Sequence, residues 1–174
     1  MQETLLKLFS LGSIGILIFC FLFILLEIFK IKNPVKTCIL KAQTELIFFV
    51  SLFATVGSIL LSIYFQLAPC ELCWYQRMFL FPIPIIAFIA TVRKDLNSRI
   101  YMLTFSVIGL IIALYHSFLQ LNVFKTVSAF CNPNSPIDCS VPAFVYFGFV
   151  TVPVISFSVF LLLVITTYAY TKKN

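Results

Sequence analysis

Two cysteines separated by two residues are the most reactive feature of the sequence. They are Cys70 and Cys73 in the stretch PCELCWYQR, residues 69–77, and Arg77 follows four residues after the second. A short C-x-x-C disulfide is readily attacked, and a nearby positive charge favours the thiolate that carries out thiol–disulfide exchange. On a helix starting near residue 74, Arg77 would project from the same face as Cys73, and the helix N-terminus would add positive potential. The spacing therefore indicates redox exchange.

A second cysteine pair lies further along the chain. Cys131 and Cys139 are separated by NPNSPID, which contains two prolines. The four cysteines also fit two structural disulfides, although closing a loop as short as C-x-x-C constrains the unfolded chain little. A site of four thiolates for zinc would require a second close pair, so no metal is predicted. We expect the two remaining cysteines, Cys20 and Cys38, to be inert small apolar residues.

Composition places these residues in a membrane. The 174-residue chain is 61% hydrophobic and charged at 10% of its positions, against roughly 25% in ordinary soluble domains. Its apolar runs approach or exceed the roughly 20 residues that cross a bilayer as a helix. The predicted spans are 8–29, 46–67, 74–92, 100–121 and 143–169.

These spans predict an all-α integral membrane protein. We expect residues 44–174 to form a four-helix transmembrane core. Residues 1–43 would add an N-terminal transmembrane helix and a basic cytoplasmic loop. The first span is interpreted as a helix rather than a cleaved signal peptide, because the stop-transfer pattern KIKNPVK follows it.

The basic residues predict the topology. Nine of the twelve fall on one side of the predicted spans, which the positive-inside rule makes the cytoplasm. These nine are Lys30, Lys32, Lys36, Lys41, Arg93, Lys94, Arg99, Lys172 and Lys173. The N-terminus is then outside, the C-terminus is cytoplasmic, and both cysteine-bearing loops, 68–73 and 122–142, face outward into an oxidising compartment. A nucleic-acid site is excluded, since the basic residues flank the membrane in separate short loops.

The single histidine is predicted to lie near the cysteine pair. His116 stands about 24 Å along the fourth span at about 1.5 Å per residue, which is roughly the depth expected for Arg77. Both residues would then share a layer with Cys73. One interpretation is a polar cradle for a lipid-soluble carbonyl compound. The other is a buried, hydrogen-bonded histidine with a structural role.

Taken together, these motifs resemble those of the DsbB/BdbC family of disulfide-oxidising membrane proteins. The resemblance rests on PCELCWYQR, on the pair Tyr115 and His116, and on the C-x7-C before the last span. It covers residues 46 to about 170, and the first span is an addition to the usual four. The compact seven-residue loop resembles the BdbC branch.

The resemblance implies an activity and roles for the residues. A reduced thioredoxin-fold oxidase of the DsbA/BdbD kind would attack a disulfide between Cys131 and Cys139, and the electrons would pass to Cys70 and Cys73. Cys70 would exchange with the loop pair, and Cys73 would engage a ubiquinone or a menaquinone. Arg77 and, less directly, His116 would bind that quinone. The protein would lie in a bacterial inner membrane and support disulfide formation in exported proteins.

Two alternatives of different kinds stay open. A vitamin K epoxide reductase-like enzyme also combines a helical bundle, a C-x-x-C and a quinone, but its loop cysteines precede the C-x-x-C in the chain. A non-enzymatic membrane protein with two structural disulfides is the other alternative. The redox lability of Cys70 with Cys73 distinguishes a catalytic pair from a structural one.

Overall fold

The computed structural model describes residues 2–28, 43–95, 97–121 and 137–171, and these segments are mostly helical. The helices are α1 (Gln2–Ile28), α2 (Gln43–Ile63), α3 (Glu71–Leu80), α4 (Pro82–Arg93), α5 (Ser98–Gln120) and α6 (Val152–Thr171). Within the described residues, the β-structure is limited to one isolated bridge, between Tyr146 and Val150. The predicted all-α fold is confirmed.

Several helices are long and apolar enough to cross a membrane. Four such segments lie in the described residues: Leu6–Leu25, Gln43–Ile63, Glu71–Arg93 and Ser98–Gln120. A shorter apolar segment, Val152–Tyr168, belongs to α6. Large apolar side chains such as Phe53 and Val92 point outward, as expected for surfaces that face lipid rather than water. The chain is therefore a multi-pass membrane protein.

The predicted start of the last span at residue 143 was wrong, because α6 begins only at Val152. The residues before it form a turn in which Tyr146 and Val150 exchange backbone hydrogen bonds of 3.0 and 2.9 Å. Phe147 and Gly148 in this turn have φ values of 53° and 80°, which a right-handed helix excludes. Hydropathy did not reveal the turn, because the segment is as apolar as the helix that follows.

Prolines divide the third predicted span into two helices. α3 ends at Leu80 and α4 begins at Pro82. Phe81 between them keeps helical backbone angles, and its N–H donates to the carbonyl of Arg77 at 2.9 Å. Pro82 and Pro84 lack the N–H groups that would continue this ladder. The two prolines therefore break the span between the helix that carries the cysteine pair and α4.

The last helix organises the bundle. α6 packs against α1, α2 and α5, while α5 also packs against α3 and α4. The closest approach is at Gly109, where an added Cβ would lie 2.3 Å from Cε1 of Phe160. Glycine at this position therefore lets α5 and α6 approach closely. The buried apolar cluster formed here contains Ile47, Leu80, Ile83, Ala87, Met102, Ala113, Phe160 and Leu163.

Candidate active site

The cysteine pair lies at the beginning of α3. The helix starts at Glu71 rather than near residue 74, with Cys70 as its N-cap residue in an extended conformation. Cys73 is consequently in the first turn, and the N–H of Trp74 donates to the carbonyl of Cys70 at 3.1 Å. Both thiols are free, and their sulfur atoms are 3.1 Å apart. The helix start therefore holds the two reactive atoms in contact.

A buried histidine faces Cys70. His116 of α5 has 0% of its surface exposed, and its Nε2 lies 3.7 Å from Sγ of Cys70 and 3.2 Å from the carbonyl oxygen of Cys139. Its Nδ1 lies 3.0 Å from Nε2 of Gln76. When the Gln76 amide donates to Nδ1, the ring proton is on Nε2, and this N–H donates a hydrogen bond to the Cys139 carbonyl. Both ring nitrogens thus have partners inside the cluster.

The hydrogen bonds at Cys70 favour its thiolate. The bond from the Cys73 thiol lowers the pKa of Cys70 to about 4, and the hydrogen bond with His116 acts in the same direction. Burial opposes this change but is the smaller effect. Cys70 lies outside the membrane-spanning segment Glu71–Arg93, one residue before it begins. Its sulfur is thus suited to thiol–disulfide exchange, in which a low pKa also makes a thiolate a good leaving group.

The position of Arg77 is fixed by two serines of α2. Its Nε donates to Oγ of Ser58 at 2.9 Å, and its Nη2 donates to the Ser58 carbonyl at 2.8 Å and to Oγ of Ser62. The guanidinium carbon also lies 5.4 Å from the centre of the Trp74 ring, a cation–π contact. Arg77 is therefore a positioned cation rather than a mobile surface anchor.

Cys139 approaches the pair from the loop before α6. It is buried, forms a disulfide, and belongs to an apolar cluster with Cys70, Leu72 and Leu119. Its predicted disulfide partner, Cys131, lies outside the described residues. Beside it, Asp138 accepts hydrogen bonds from the N–H and hydroxyl of Ser140, and these bonds lower the pKa of its carboxyl group. The structure thus brings one of the two loop cysteines against the C-x-x-C pair.

Two neighbouring cavities lie near the pair. The smaller, of about 90 Å³, is lined by Cys70, Cys73, Gln76 and Arg77 among apolar side chains, and we call it the polar pocket after these four residues. The larger, of about 520 Å³, lies between α1, α2 and α6 and is lined mainly by apolar side chains; we call it the apolar cleft. Five residues line both cavities: Ser58, Leu61, Leu80, Val152 and Ser156. A molecule with a polar head and an apolar tail fits this arrangement.

Most predicted site residues thus meet at one end of the bundle. The donor atoms of Cys70, Cys73 and His116 lie within 4.8 Å of one another, and Arg77 lines the polar pocket together with both cysteines. The sequence did not single out Gln76, Ser58 or Ser62. Ser58 and Ser62 are four residues apart on an apolar span, and this helical spacing of two hydroxyls was the available signal. Their pairing with Arg77 depends on the rotation of α2, which spacing alone does not give.

Known proteins place the chain in a family. A family model described as "Disulfide bond formation protein DsbB" matches residues 41–170. A "SPbeta prophage-derived disulfide bond formation protein B" of Bacillus subtilis is 45% identical over 121 residues, covering 70% of this chain and 80% of the relative. A "Probable disulfide formation protein C" of Halalkalibacterium halodurans is 36% identical over 124 residues, covering 71% and 89%.

A third relative gives the same result. A "Probable disulfide formation protein" of Oceanobacillus iheyensis is 34% identical over 119 residues, covering 68% of this chain and 81% of the relative. No solved structure matches the chain. The matched range, residues 41–170, contains both predicted cysteine pairs, Cys70 with Cys73 and Cys131 with Cys139. It also contains Arg77 and His116. The chain therefore belongs to the DsbB family of disulfide bond formation proteins and is a membrane thiol–disulfide oxidoreductase.

Proposed function

We propose that this protein reoxidises an extracytoplasmic thioredoxin-fold oxidase of the DsbA/BdbD kind and passes the electrons to a membrane quinone. One observation carries the proposal: the Cys70–Cys73 pair packs against a disulfide-bonded cysteine and also lines a pocket that contains a cation. Cys139 shares an apolar cluster with Cys70, and Cys73 packs against that cluster. Both cysteines of the pair line the polar pocket together with Arg77. A pair with these two neighbours suits electron transfer between two different partners.

The first exchange takes place in the loop. We infer that Cys139 is paired with Cys131, because Cys20, Cys70 and Cys73 are free and Cys38 is predicted to lie on the cytoplasmic side. A thiolate of the reduced oxidase attacks this disulfide, forming a mixed disulfide. The second thiol of the oxidase resolves it. The oxidase leaves as a disulfide, and two electrons and two protons remain on Cys131 and Cys139.

The second exchange oxidises the loop pair again. A loop thiolate attacks the Cys70–Cys73 disulfide, which opens as the loop disulfide forms. His116 would hold the two partners of this exchange together, because its Nε2 lies within hydrogen-bond distance of the Cys70 sulfur and of the carbonyl of Cys139. The reduced state described by the structure, with two free thiols, is the product of this exchange.

The polar pocket and the apolar cleft fit a quinone. A quinone, when bound, accepts two electrons and two protons, the same number that a dithiol releases on becoming a disulfide. Arg77 would hold a quinone oxygen, because its guanidinium is oriented by Ser58 and Ser62 beside Cys73. The apolar cleft would hold the tail, since five residues line both the cleft and the polar pocket. The proposal covers both ubiquinone and menaquinone.

The proposal also includes the orientation of the protein in the membrane and the role of its N-terminal helix. The charge distribution supports an inner-membrane protein with its cysteines outside, its N-terminus outside and its C-terminus in the cytoplasm. We also infer that residues 44–174 carry the chemistry. The additional helix in residues 1–43 contributes a wall of the apolar cleft rather than a reactive group, since α1 residues such as Gly12 and Ser13 line that cleft.

A quinone reduction assay tests the proposal. The purified full-length protein is mixed with a reduced thioredoxin-fold oxidase and a soluble quinone analogue, and the quinone absorbance is followed. We expect consumption with the wild type, none with Cys73→Ser, and weaker apparent quinone affinity with Arg77→Ala. The proposal fails if quinone is untouched while both disulfides persist through the experiment.

A further inference from the structure

Three potential metal ligands meet at the outer end of the bundle. Sγ of Cys70, Sγ of Cys73 and a ring nitrogen of His116 all lie within 4.8 Å of one another. This set differs from the four-thiolate site that the sequence disfavoured, because it uses the histidine and neither loop cysteine. We propose that the reduced pair and His116 bind one zinc-class divalent ion, and that oxidation of the pair abolishes the site.

The distances are close to those of a tetrahedral ion. Zinc lies about 2.3 Å from thiolate sulfur and about 2.0–2.1 Å from imidazole nitrogen, so neighbouring ligand atoms are roughly 3.5–3.8 Å apart. Nε2 of His116 is already 3.7 Å from Sγ of Cys70. The two sulfurs, at 3.1 Å, must separate by roughly half an ångström or slightly more. Rotation of the partly exposed Cys73 side chain provides that change.

The surroundings of His116 support coordination through Nε2. Histidines that bind metals usually make a hydrogen bond through the other ring nitrogen, which fixes their orientation. Gln76 supplies this bond, because its amide lies 3.0 Å from Nδ1. Rotation of the amide places its oxygen against an Nδ1 proton and leaves the Nε2 lone pair free. The Cys139 carbonyl lies 3.2 Å from Nε2. It is placed to accept a hydrogen bond from a water molecule that would be the fourth ligand of the ion.

Charge also favours a divalent ion. The pair loses two protons on binding, so that the buried ion and two thiolates carry no net charge. An unpaired dication would be very unfavourable at this depth, whereas a neutral assembly is not. Arg77, next to Cys73, stays directed toward the serines of α2. The polar pocket that Cys73 lines provides a route for the ion.

Binding would have a consequence for the relay, and this consequence rests on the proposed function. A pair held as two thiolates on an ion is unavailable for oxidation, and zinc itself exchanges no electrons. The disulfide form offers no thiolates to the ion. Zinc would thus act as an inhibitor that recognises only the reduced state.

Cobalt binding tests the site directly. The full-length protein in detergent is reduced, freed of reductant and titrated with Co²⁺ alone, and then with Zn²⁺ as a competitor. The Cys70→Ser/Cys73→Ser double variant measures the contribution of the other thiols. We expect one additional Co²⁺ per protein, with the visible spectrum of a tetrahedral ion and thiolate charge-transfer absorption, and loss of both signals after oxidation.

Two variants test the role of the histidine. His116→Asn and, separately, Gln76→Leu should each weaken Co²⁺ binding at least about tenfold, the lower end of the effect seen when partners of a ligating histidine are removed. Unchanged affinity in both variants, or equal binding by the double cysteine variant, would overturn the proposal. Binding requires neither quinone nor oxidase, so a protein that binds Co²⁺ but consumes no quinone contradicts only the proposed function.

Discussion

Cys20 and Cys70 are two free thiols with nearly equal burial and very different surroundings. Their exposed fractions are 1% and 6%. Cys20 lies in the middle of the apolar helix α1, and no hydrogen bond links it to another described residue. Cys70 has the Cys73 thiol and the His116 imidazole as partners. Burial is similar in both places, so the hydrogen-bonding partners distinguish the thiol that we expect to react from the one that we expect to be inert.

Replacing each cysteine by serine should separate the two regions most strongly. Cys70→Ser should abolish quinone consumption, because no disulfide can form with Cys73. Cys20→Ser should leave the turnover rate unchanged, because α1 supplies no reacting atom. The assay with reduced oxidase and soluble quinone measures both variants. Equal loss in the two variants would show that Cys20 takes part in the relay.

The pH dependence of the Cys70 thiolate tests the role of its partners. The hydrogen bond from Cys73 lowers the Cys70 pKa from its ordinary value of 9.0 to about 4. The resulting stabilisation of the reduced protein is fully present above the ordinary pKa and is lost as the pH falls through about 4. His116→Asn should raise the Cys70 pKa and reduce this pH dependence.

Ultraviolet thiolate absorbance of the reduced protein, recorded against pH, measures the change. Cys20→Ser serves as the control and should leave the low-pH transition where it is. A transition that stays in place in His116→Asn would show that the histidine does not contribute to the Cys70 thiolate.

Replacing the serines that hold Arg77 should have a smaller effect on activity. Ser58→Ala and Ser62→Ala each remove a hydrogen bond to the guanidinium, typically worth about 1 kcal/mol, or roughly fivefold in affinity. We expect the Michaelis constant for soluble quinone to rise severalfold, with little change in kcat. Thr55→Val is the matched control, because the buried Thr55 hydroxyl has no hydrogen-bond partner among the described residues. An equal effect in the control would contradict a positioning role for the serines.

The smallest effect should come from α1 itself. Gly12 lines the apolar cleft and has no heavy atom within 4 Å of an added Cβ, so Gly12→Leu should fill part of the cleft. The variant should raise the Michaelis constant for a long-tailed quinone a fewfold and leave that for a tail-less analogue unchanged. Gly15→Leu is the control, since Gly15 has equal space around it but does not line the cleft. Identical behaviour of both variants would remove α1 from the quinone site.

The sequence revealed the chemistry better than the contacts that support it. Cys70, Cys73 and Arg77 were identifiable because their spacing within one helical turn is local information. The apolar spans were identifiable because they must match the thickness of a bilayer. His116 was predicted to share a layer with the cysteine pair from its distance along α5, since helical rise is constant, and it lies beside that pair.

Other features depend on how the helices are rotated against one another. The sequence did not give the bond from Gln76 to His116 or the serine pair on Arg77, because each joins residues from different helices. It also placed the start of α3 about one turn too late, since Cys70 caps the helix through its backbone conformation rather than through a typical capping side chain. Cys131 lies outside the described residues, and its role stays a prediction.

A single-turnover experiment without the oxidase tests the central claim most directly. The Cys139→Ser variant is reduced, so that Cys70 and Cys73 are the one pair of the proposed relay that can still form a disulfide, and it is mixed with soluble quinone. Free thiols and quinone absorbance are then measured together. We expect each protein to reduce one quinone as the Cys70 and Cys73 thiols disappear. Persistence of both thiols with the quinone unreduced would contradict direct electron transfer from this pair.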